Sequence, residues 1–532
     1  MSARFERHAR TVSLITMLSR ITGLARDASL SRVFGAAGVM DAFFFAFMIP
    51  NLFRRLFGEG ALAAAFLPVY SRLDRDDPAT ARQLASLTIA GLTAILGAAV
   101  LLAELILFLL SARQHHANLA LWLTMVMLPY MPLVCLVAIL GAMLQVHGKF
   151  GPTAAAPIVL NLCLIASALG LFFLLERDVM SPRFEHDRLL HIAVVAGSVV
   201  LAGILQVLWS LAALRGRRWW VARFAAARQP MRRVMRQALP MIVGLGVLQL
   251  NTLFDGVIAS YPTAVGPRVF GIDYPLTEGA MAAVSFAQRL YQFPLGVFGI
   301  ALATAIFPAL ARQADRTAPF VDTLRRGLRL VVFIGLPASA GLILVRRPLA
   351  AVVLQGGDFS PQDTARVAFV LLGYAPAVWA YSMTHTMTRA FYARADSTTP
   401  VKIALAVVCL NLALNCTLIW TPLREAGLAW STAICAVIQA ALLFTLLRRR
   451  LGHILDAPVL GSWLKSALAT ALMAAALLLV SSILPTGPEI PPSWTQALGT
   501  LAALVTTGAL VFAVAAGALR MPELAWALGR PE

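Results

Sequence analysis

The sequence predicts an all-α polytopic membrane protein of about fourteen transmembrane helices. Hydrophobic residues make up 59% and charged residues 13% of its 532 residues, and the mean hydropathy is +0.79. Soluble domains carry about 25% charged residues. Apolar runs of about 20 residues, enough to cross the hydrocarbon core, recur along the whole chain with no polar stretch long enough for a soluble domain. These runs are continuous rather than alternating, and lipid offers backbone groups no partner, so the spans are helices and not barrel strands.

The first span, 11–35, follows Arg4, Arg7 and Arg10, lacks a small-residue cleavage site and is interrupted by charge, which marks a retained helix and not a signal peptide. The second, 38–57, runs into Arg54, Arg55 and Glu59, and residues 60–73 continue or follow it at the interface. Next come 83–112, with Glu104 mid-run, and 117–146, with Pro129 and Pro132. Spans 152–176 and 188–214 follow, then 237–262 with Pro240 and Asp255, and 279–310 with Arg289 and Pro294. The remainder are 324–354, 363–393 with Pro376 and His385, 400–421, 426–447, 461–484 and 493–519. The prolines are expected to kink their helices. His385, among Thr384, Thr386 and Thr388, reads as a proton relay or a packed core residue.

Alternate loops carry the arginines: Arg72, Arg75 and Arg82; then the cluster from Arg215 to Arg236; then Arg312 to Arg329; then Arg448 to Arg450. The positive-inside rule makes these loops cytoplasmic, and an even span count places both termini there. The net charge of +19 is thus accounted for by anionic membrane lipids, with no nucleic-acid motif beside it. Trp219, Trp220 and Phe224 interleave the arginines of 215–236, which suits a basic amphipathic helix at the interface. Cys135, Cys163, Cys409, Cys416 and Cys435 lie inside apolar runs without metal or redox spacing, and read as small core residues.

Arg20, Arg26, Asp27, Arg32, Asp41, Asn51, Arg54, Arg55 and Glu59 stand in otherwise apolar sequence. Each arginine at the centre of a membrane helix costs about 2.5–3.5 kcal/mol on insertion scales, so these residues face water or polar partners. SRITGLARD (Ser19 to Asp27), DAFFFAF (Asp41 to Phe47) and PNLFRRLFGEGALAAAFLPV (Pro50 to Val69) resemble the N-terminal signature of the MurJ (MviN) lipid II flippase family. QRLYQFPLGVFGIALATAIFPAL (Gln288 to Leu310) and FYARADSTTPVKIA (Phe391 to Ala404) extend the resemblance. It implies the multidrug/oligosaccharidyl-lipid/polysaccharide exporter fold: two six-helix lobes, 1–214 and 237–450, around a central cavity. Residues 215–236 link the lobes, and two extra C-terminal helices within 451–532 form a lipid-tail groove.

On a helix Arg20, Gly23 and Asp27 share a face while Ser19, Thr22 and Arg26 line the adjoining one, with glycine allowing close approach. Asn51, Arg55 and Glu59 recur at i, i+4, so Arg55 and Glu59 can pair and Arg54 is the freer cation. Guanidinium forks grip diphosphate oxygens bidentately as lysine cannot. The resemblance makes Arg20, Arg26, Arg54 and Arg289 the cavity arginines, with Asp27 and Asp41 as accompanying acids and Asn51 beside them. The alternative is that the arginines close interhelical salt bridges. Gln288 and Gln292 stand where some relatives carry acids.

Asp255, Asn411, Asn415 and Ser431 offer oxygen donors from three spans for a small hard cation, which makes Na+ or H+ the candidate coupling ion; Asn411 and Asn415 can instead hydrogen-bond between helices. No G-x-x-x-x-G-K-[ST] loop is present. The resemblance implies the function of a transporter and not an enzyme: a flippase moving the undecaprenyl-diphosphate-linked peptidoglycan precursor across the bacterial inner membrane by alternating access. Other cell-wall synthesis proteins are candidate partners. Competing readings are a flippase for another polyprenyl-diphosphate saccharide, a cation-coupled drug antiporter of the same superfamily and, more remotely, a membrane glycosyltransferase. The short outer loops hold no acid or histidine cluster for the last.

Overall fold

The computed structural model describes residues 2–58, 61–113, 118–175, 184–216, 219–452, 454–484 and 493–527. Contacts divide the chain into two compact units, Met1–Ala282 and Ala283–Glu532. Most of each predicted span is helical among the described residues. Among the described residues nine helices are long and apolar enough to cross a membrane, ten if one bent pair counts as a span. The remainder of the predicted spans carry the charged and amide side chains that drew attention in the sequence, or are interrupted.

The first unit contains α1 (Ser2–Phe34), α2 (Gly38–Phe53), a π-turn (Arg54–Gly58), α3 (Ala61–Asp76), α4 (Pro78–Arg113), α5 (Leu119–Met127), α6 (Tyr130–Val146), α7 (Gly151–Leu175), α8 (Phe184–Ala213) and α9 (Arg228–Ala264). A two-stranded hairpin follows, β1 (Arg268–Val269) and β2 (Ile272–Asp273), then the first turn of α10 (Ala280–Pro294). The core knits α3, α4, α6 and α9 around Phe66, Tyr70, Leu84, Ile139, Met143 and Val234. Residues 60–73 thus form their own helix after the π-turn. The predicted span 117–146 is two helices, because Pro129 caps a new one and leaves Pro132 in a first turn whose N–H groups need no helical partner.

The basic segment 215–236 is not one helix. Gly216, at φ +85°, leaves helical space after α8, and residues 219–224 run irregularly, stapled to α4 where Val221 N donates to Ser86 Oγ at 2.9 Å. From Arg228 onward the same segment is the first part of α9, which passes through Pro240 without ending. The cysteines are all free; Cys135 and Cys435 are buried, but Cys409 and Cys416 are exposed, which corrects the expectation of core positions for those two.

The second unit completes α10, then enters a second π-turn (Leu295–Ile300), α11 (Ala301–Arg312), α12 (Thr317–Leu354), α13 (Pro361–Tyr374), α14 (Ala377–Ala393), α15 (Thr398–Leu418), α16 (Ala426–Leu451), α17 (Ala457–Ile483), α18 (Trp494–Ala518) and α19 (Pro522–Ala527). Its core runs along α12, α14, α15 and α16 through Phe320, Leu324, Leu328, Met387, Phe391 and Leu443. The predicted span 363–393 bends by 40° between α13 and α14, where Pro376 starts the second helix. The pair α17–α18 packs on α12 through Val345, Met473, Leu477 and Leu504. Unanticipated from sequence, α19 tucks back: fully buried Glu523 accepts from Arg329 Nε and Ser462 Oγ, both at 2.6 Å, and Trp526 stacks on the Arg329 guanidinium at 4.8 Å.

Candidate functional site

The polar stripe of α1 is built as its spacing predicts, but its organiser sits on α7. Arg26, 9% exposed, donates from Nε (2.9 Å) and Nη2 (2.6 Å) to Asp27 Oδ1 and from Nη1 (3.0 Å) to Asn161 Oδ1. The other end of the Asn161 amide donates to Thr22 Oγ1 at 3.1 Å and to the Ser19 carbonyl at 3.3 Å. One buried amide thus accepts from the guanidinium and donates to the α1 turn, as an amide in low dielectric must to avoid an unmet polar atom. Gly23 has room to spare: a Cβ there would stand 3.7 Å from Asn161 Nδ2, so close approach does not require glycine. Arg20, a turn and a half earlier, is exposed.

Asn51 and Arg54 come together: Arg54 donates to Asn51 Oδ1 from Nε at 3.2 Å and Nη2 at 2.9 Å, which corrects its reading as the freer cation. Arg55 Nη1 reaches Gln249 Oε1 on α9 at 3.2 Å, while Glu59, its expected ion-pair partner, lies outside the described residues.

Asp41, which the resemblance sets beside the cavity arginines, is placed at the start of α10. Fully buried, it accepts from Gly279 N (2.6 Å), Thr263 Oγ1 (3.0 Å) and Ala282 N (2.7 Å). It is an N-cap supplied to α10 by another helix, with a carboxylate at the positive end of the helix dipole.

In the second unit, Arg289 is half-buried on α10. Its neighbour Gln288 donates to the Tyr374 hydroxyl at 3.0 Å, and Tyr291 stacks on the Tyr374 ring at 4.7 Å. Asn411, Asn415 and Ser431 are brought together as predicted and are fully buried. They close a ring: Asn415 Nδ2 donates to Asn411 Oδ1 at 3.0 Å, Asn411 Nδ2 to Ser431 Oγ at 3.3 Å, and Ser431 Oγ to Asn415 Oδ1. Asp255, 5% exposed, belongs to the first unit. The ring is neutral, and its oxygens accept from one another. Among the described residues no group of three or more His, Cys, Asp or Glu side chains is placed to hold a metal ion.

Sequence reasoning missed Asn161, Gln249 and Thr263. Asn161 is a lone amide in an apolar run, Gln249 and Thr263 stand among other small polar residues, and nothing local distinguishes any of them from one that bonds its own helix.

The family profile described as lipid II flippase MurJ matches residues 30–488. A probable lipid II flippase MurJ of Vibrio cholerae is 31% identical over 466 residues, which span 84% of this chain and 83% of that protein. The lipid II flippase MurJ of Burkholderia cenocepacia is 29% identical, with 83% of each chain covered. Among solved structures, a lipid II flippase MurJ in an inward closed conformation superposes with a TM-score of 0.76 at 22% identity, covering 98% of this chain and 100% of that one. An inward-facing multidrug transporter of the MATE family and MOP superfamily gives 0.64 at 12% identity over 84% of this chain and 98% of that one.

Proposed function

The chain belongs to the lipid II flippase MurJ family, and from that premise we propose that it carries lipid II from the cytoplasmic to the outer leaflet of the bacterial inner membrane by alternating access. The observation that carries the reading is the held guanidinium of Arg26. Asp27 and Asn161 fix its plane within a helix that also presents Arg20, while Arg54 and Arg55 add cations on the next span. A diphosphate has several oxygens for such forks, and each charge-assisted hydrogen bond contributes about 1.5–3 kcal/mol. Asp41, occupied as a helix cap, leaves the cargo set; Arg289 stays in it as the cation of the second unit.

No bond is made or broken in this work, so the residues bind, orient and release. Loaded with a diphosphate, the arginine-rich cavity is near neutral; emptied outside, it is positive. A membrane potential negative inside draws the empty carrier back, with about 2.3 kcal/mol per net charge for each 100 mV. This return needs no ATP, and Na+ or H+ is the candidate coupling ion that would add to the potential. Both termini face the cytoplasm in this reading, and anionic lipids hold the basic loops.

The test is lipid II exposure on the outer leaflet, read by a lipid II-cleaving toxin in cells depleted of their own flippase. The wild-type chain should restore exposure; Arg26→Ala should fail and Arg26→Lys, which keeps charge but loses the fork, should restore only part. A wild-type chain that expresses and restores nothing would transfer the cargo assignment to another polyprenyl-diphosphate saccharide.

A further inference from the structure

On α14 the stretch from Ser382 to Arg389 is polar at every position but its methionines. Ser382, His385, Thr386 and Arg389 recur at i, i+3, i+4 and i+7 and so share one face. That face meets the second π-turn, α11 and α12 of the same unit. A Cβ on Gly299 would overlap Ser382 Oγ, one on Gly327 would stand 3.5 Å from Thr386 Cγ2, and the Arg389 guanidinium lies 5.4 Å from the Phe307 ring centre.

The protein does not satisfy these polar groups. Many hydroxyls in its helices return to the carbonyl one turn back, as Ser382 does to Val378 at 2.7 Å, Thr432 to Leu428 at 2.9 Å and Thr470 to Ser466 at 2.7 Å, while Thr153, Ser260 and Ser466 stand singly on their helices without a partner. Thr384 and Thr386, 7% and 0% exposed, have hydroxyl oxygens with no hydrogen-bond partner. His385 is half-buried and makes no hydrogen bond among the described residues, and no carboxylate there pairs with Arg389. Buried hydroxyls and a guanidinium at membrane depth are costly when unmet, and their coincidence on one helix points to something that meets them. All of them can donate, and the one fixed charge is positive, so the matching ligand accepts hydrogen bonds and is negative.

We propose that His385, Thr386 and Arg389 form a site for a monovalent anion, either chloride or a carboxylate, reached from the end of α14 one turn beyond Arg389. The guanidinium supplies the charge, its stacking on Phe307 fixes its plane, and Thr386 adds a buried donor. The carboxylate source rests on the flippase reading, because the peptide stem of lipid II carries carboxylates; the chloride source does not.

The full chain in nanodiscs, titrated with sodium chloride against sodium isethionate, a bulky anion without a carboxylate, at constant ionic strength, reports the first source through its thermal midpoint. Binding of lipid II, compared with lipid II whose peptide carboxylates are amidated, reports the second. A saturable rise in midpoint that Arg389→Gln and Thr386→Val both abolish assigns the site to free halide. Binding about tenfold weaker for the amidated lipid, a preference lost in both variants, assigns it to the cargo. Thr386→Val keeps the side-chain shape and removes one hydroxyl, so its result stands if Arg389→Gln fails to fold. Halide responses and lipid preferences identical in the wild type and Thr386→Val overturn the site. Outer-leaflet exposure of lipid II, measured alongside, separates the two readings: intact flipping without either anion effect removes this site alone, whereas failed flipping with a halide effect removes the cargo assignment alone.

Discussion

Asn161 turns a cation that would otherwise be costly into a positioned one. Spacing put Arg26 and Asp27 on adjoining faces of one helix and did not announce their pairing; the amide that completes the set stands 135 residues away, and no local pattern marks it. Replacing Asn161 with Leu should lower stability by about 1–3 kcal/mol, because Arg26 Nη1 and the Thr22 hydroxyl lose a buried partner, and flipping should fall although Asn161 touches no cargo in the proposed mechanism. Thermal unfolding in detergent and the toxin-exposure assay check the two halves of that statement. Asp41 was legible as an intramembrane acid but not as a cap, since the N–H groups it receives belong to residues 279 and 282. Asp41→Ala should cost about 1–2 kcal/mol in the same unfolding assay, and Asp41→Asn less, because the amide keeps one acceptor.

At the level of elements, hydropathy located each long helix but not the places where a span changes direction. Pro129, Pro294 and Pro376 were all read as kinks. Pro129 and Pro376 start new helices, and Pro294 closes α10 at the π-turn, because proline is tolerated where a helix begins and not where it must donate. The short α19 escaped the sequence reading because its six residues are too few to show a period, and its anchor, Glu523, is held by Arg329 and Ser462 from distant helices. Glu523→Ala leaves Arg329 without its carboxylate and should cost about 3 kcal/mol, releasing the helix to protease before the rest of the chain. Limited proteolysis followed by mass spectrometry reads that order.

Another element-level outcome depends on pH. Burial works against ionisation of Asp396, but the Thr399 hydroxyl (2.6 Å) and amide (3.0 Å), Arg450 and the Thr398 hydroxyl outweigh it and hold its carboxyl below the usual carboxylate range. A folded pKa depressed in this way stabilises the start of α15 at pH above about 3.9 and loses that stabilisation as pH falls further. The thermal midpoint of the wild type should therefore approach that of Asp396→Asn as pH drops from 5 to 3, and an unchanged gap would contradict the assignment.

The whole molecule was legible where lipid imposes the rule. An apolar chain of this length had to be helical bundles, and that much followed from composition. Its two compact units each keep a core of their own, around Phe66 and Met143 in one and Phe320 and Met387 in the other. The charge asymmetry of the loops carries a prediction at this scale. In a variant lacking the native cysteines, Phe270→Cys at the fully exposed hairpin tip should react with an impermeant maleimide on intact spheroplasts. Arg449→Cys should react only after lysis. The reverse pattern would invert the orientation and with it the direction of transport.

The second π-turn, residues 295–300, also fixes how long this stretch of chain can be. A π-turn is a helix whose wider turn already absorbs one surplus residue, so inserting a further residue beside Gly299 would exceed what the turn accommodates and rotate everything after it by about 100°. Phe307 would swing off Arg389 and Ile306 away from Gly327, while the apolar length of the span would scarcely change. Substitution at Gly299 meets Ser382 Oγ at a single point, whereas a change in chain length shifts the whole face that follows. The number of residues between Pro294 and Phe307 is itself part of what this protein encodes.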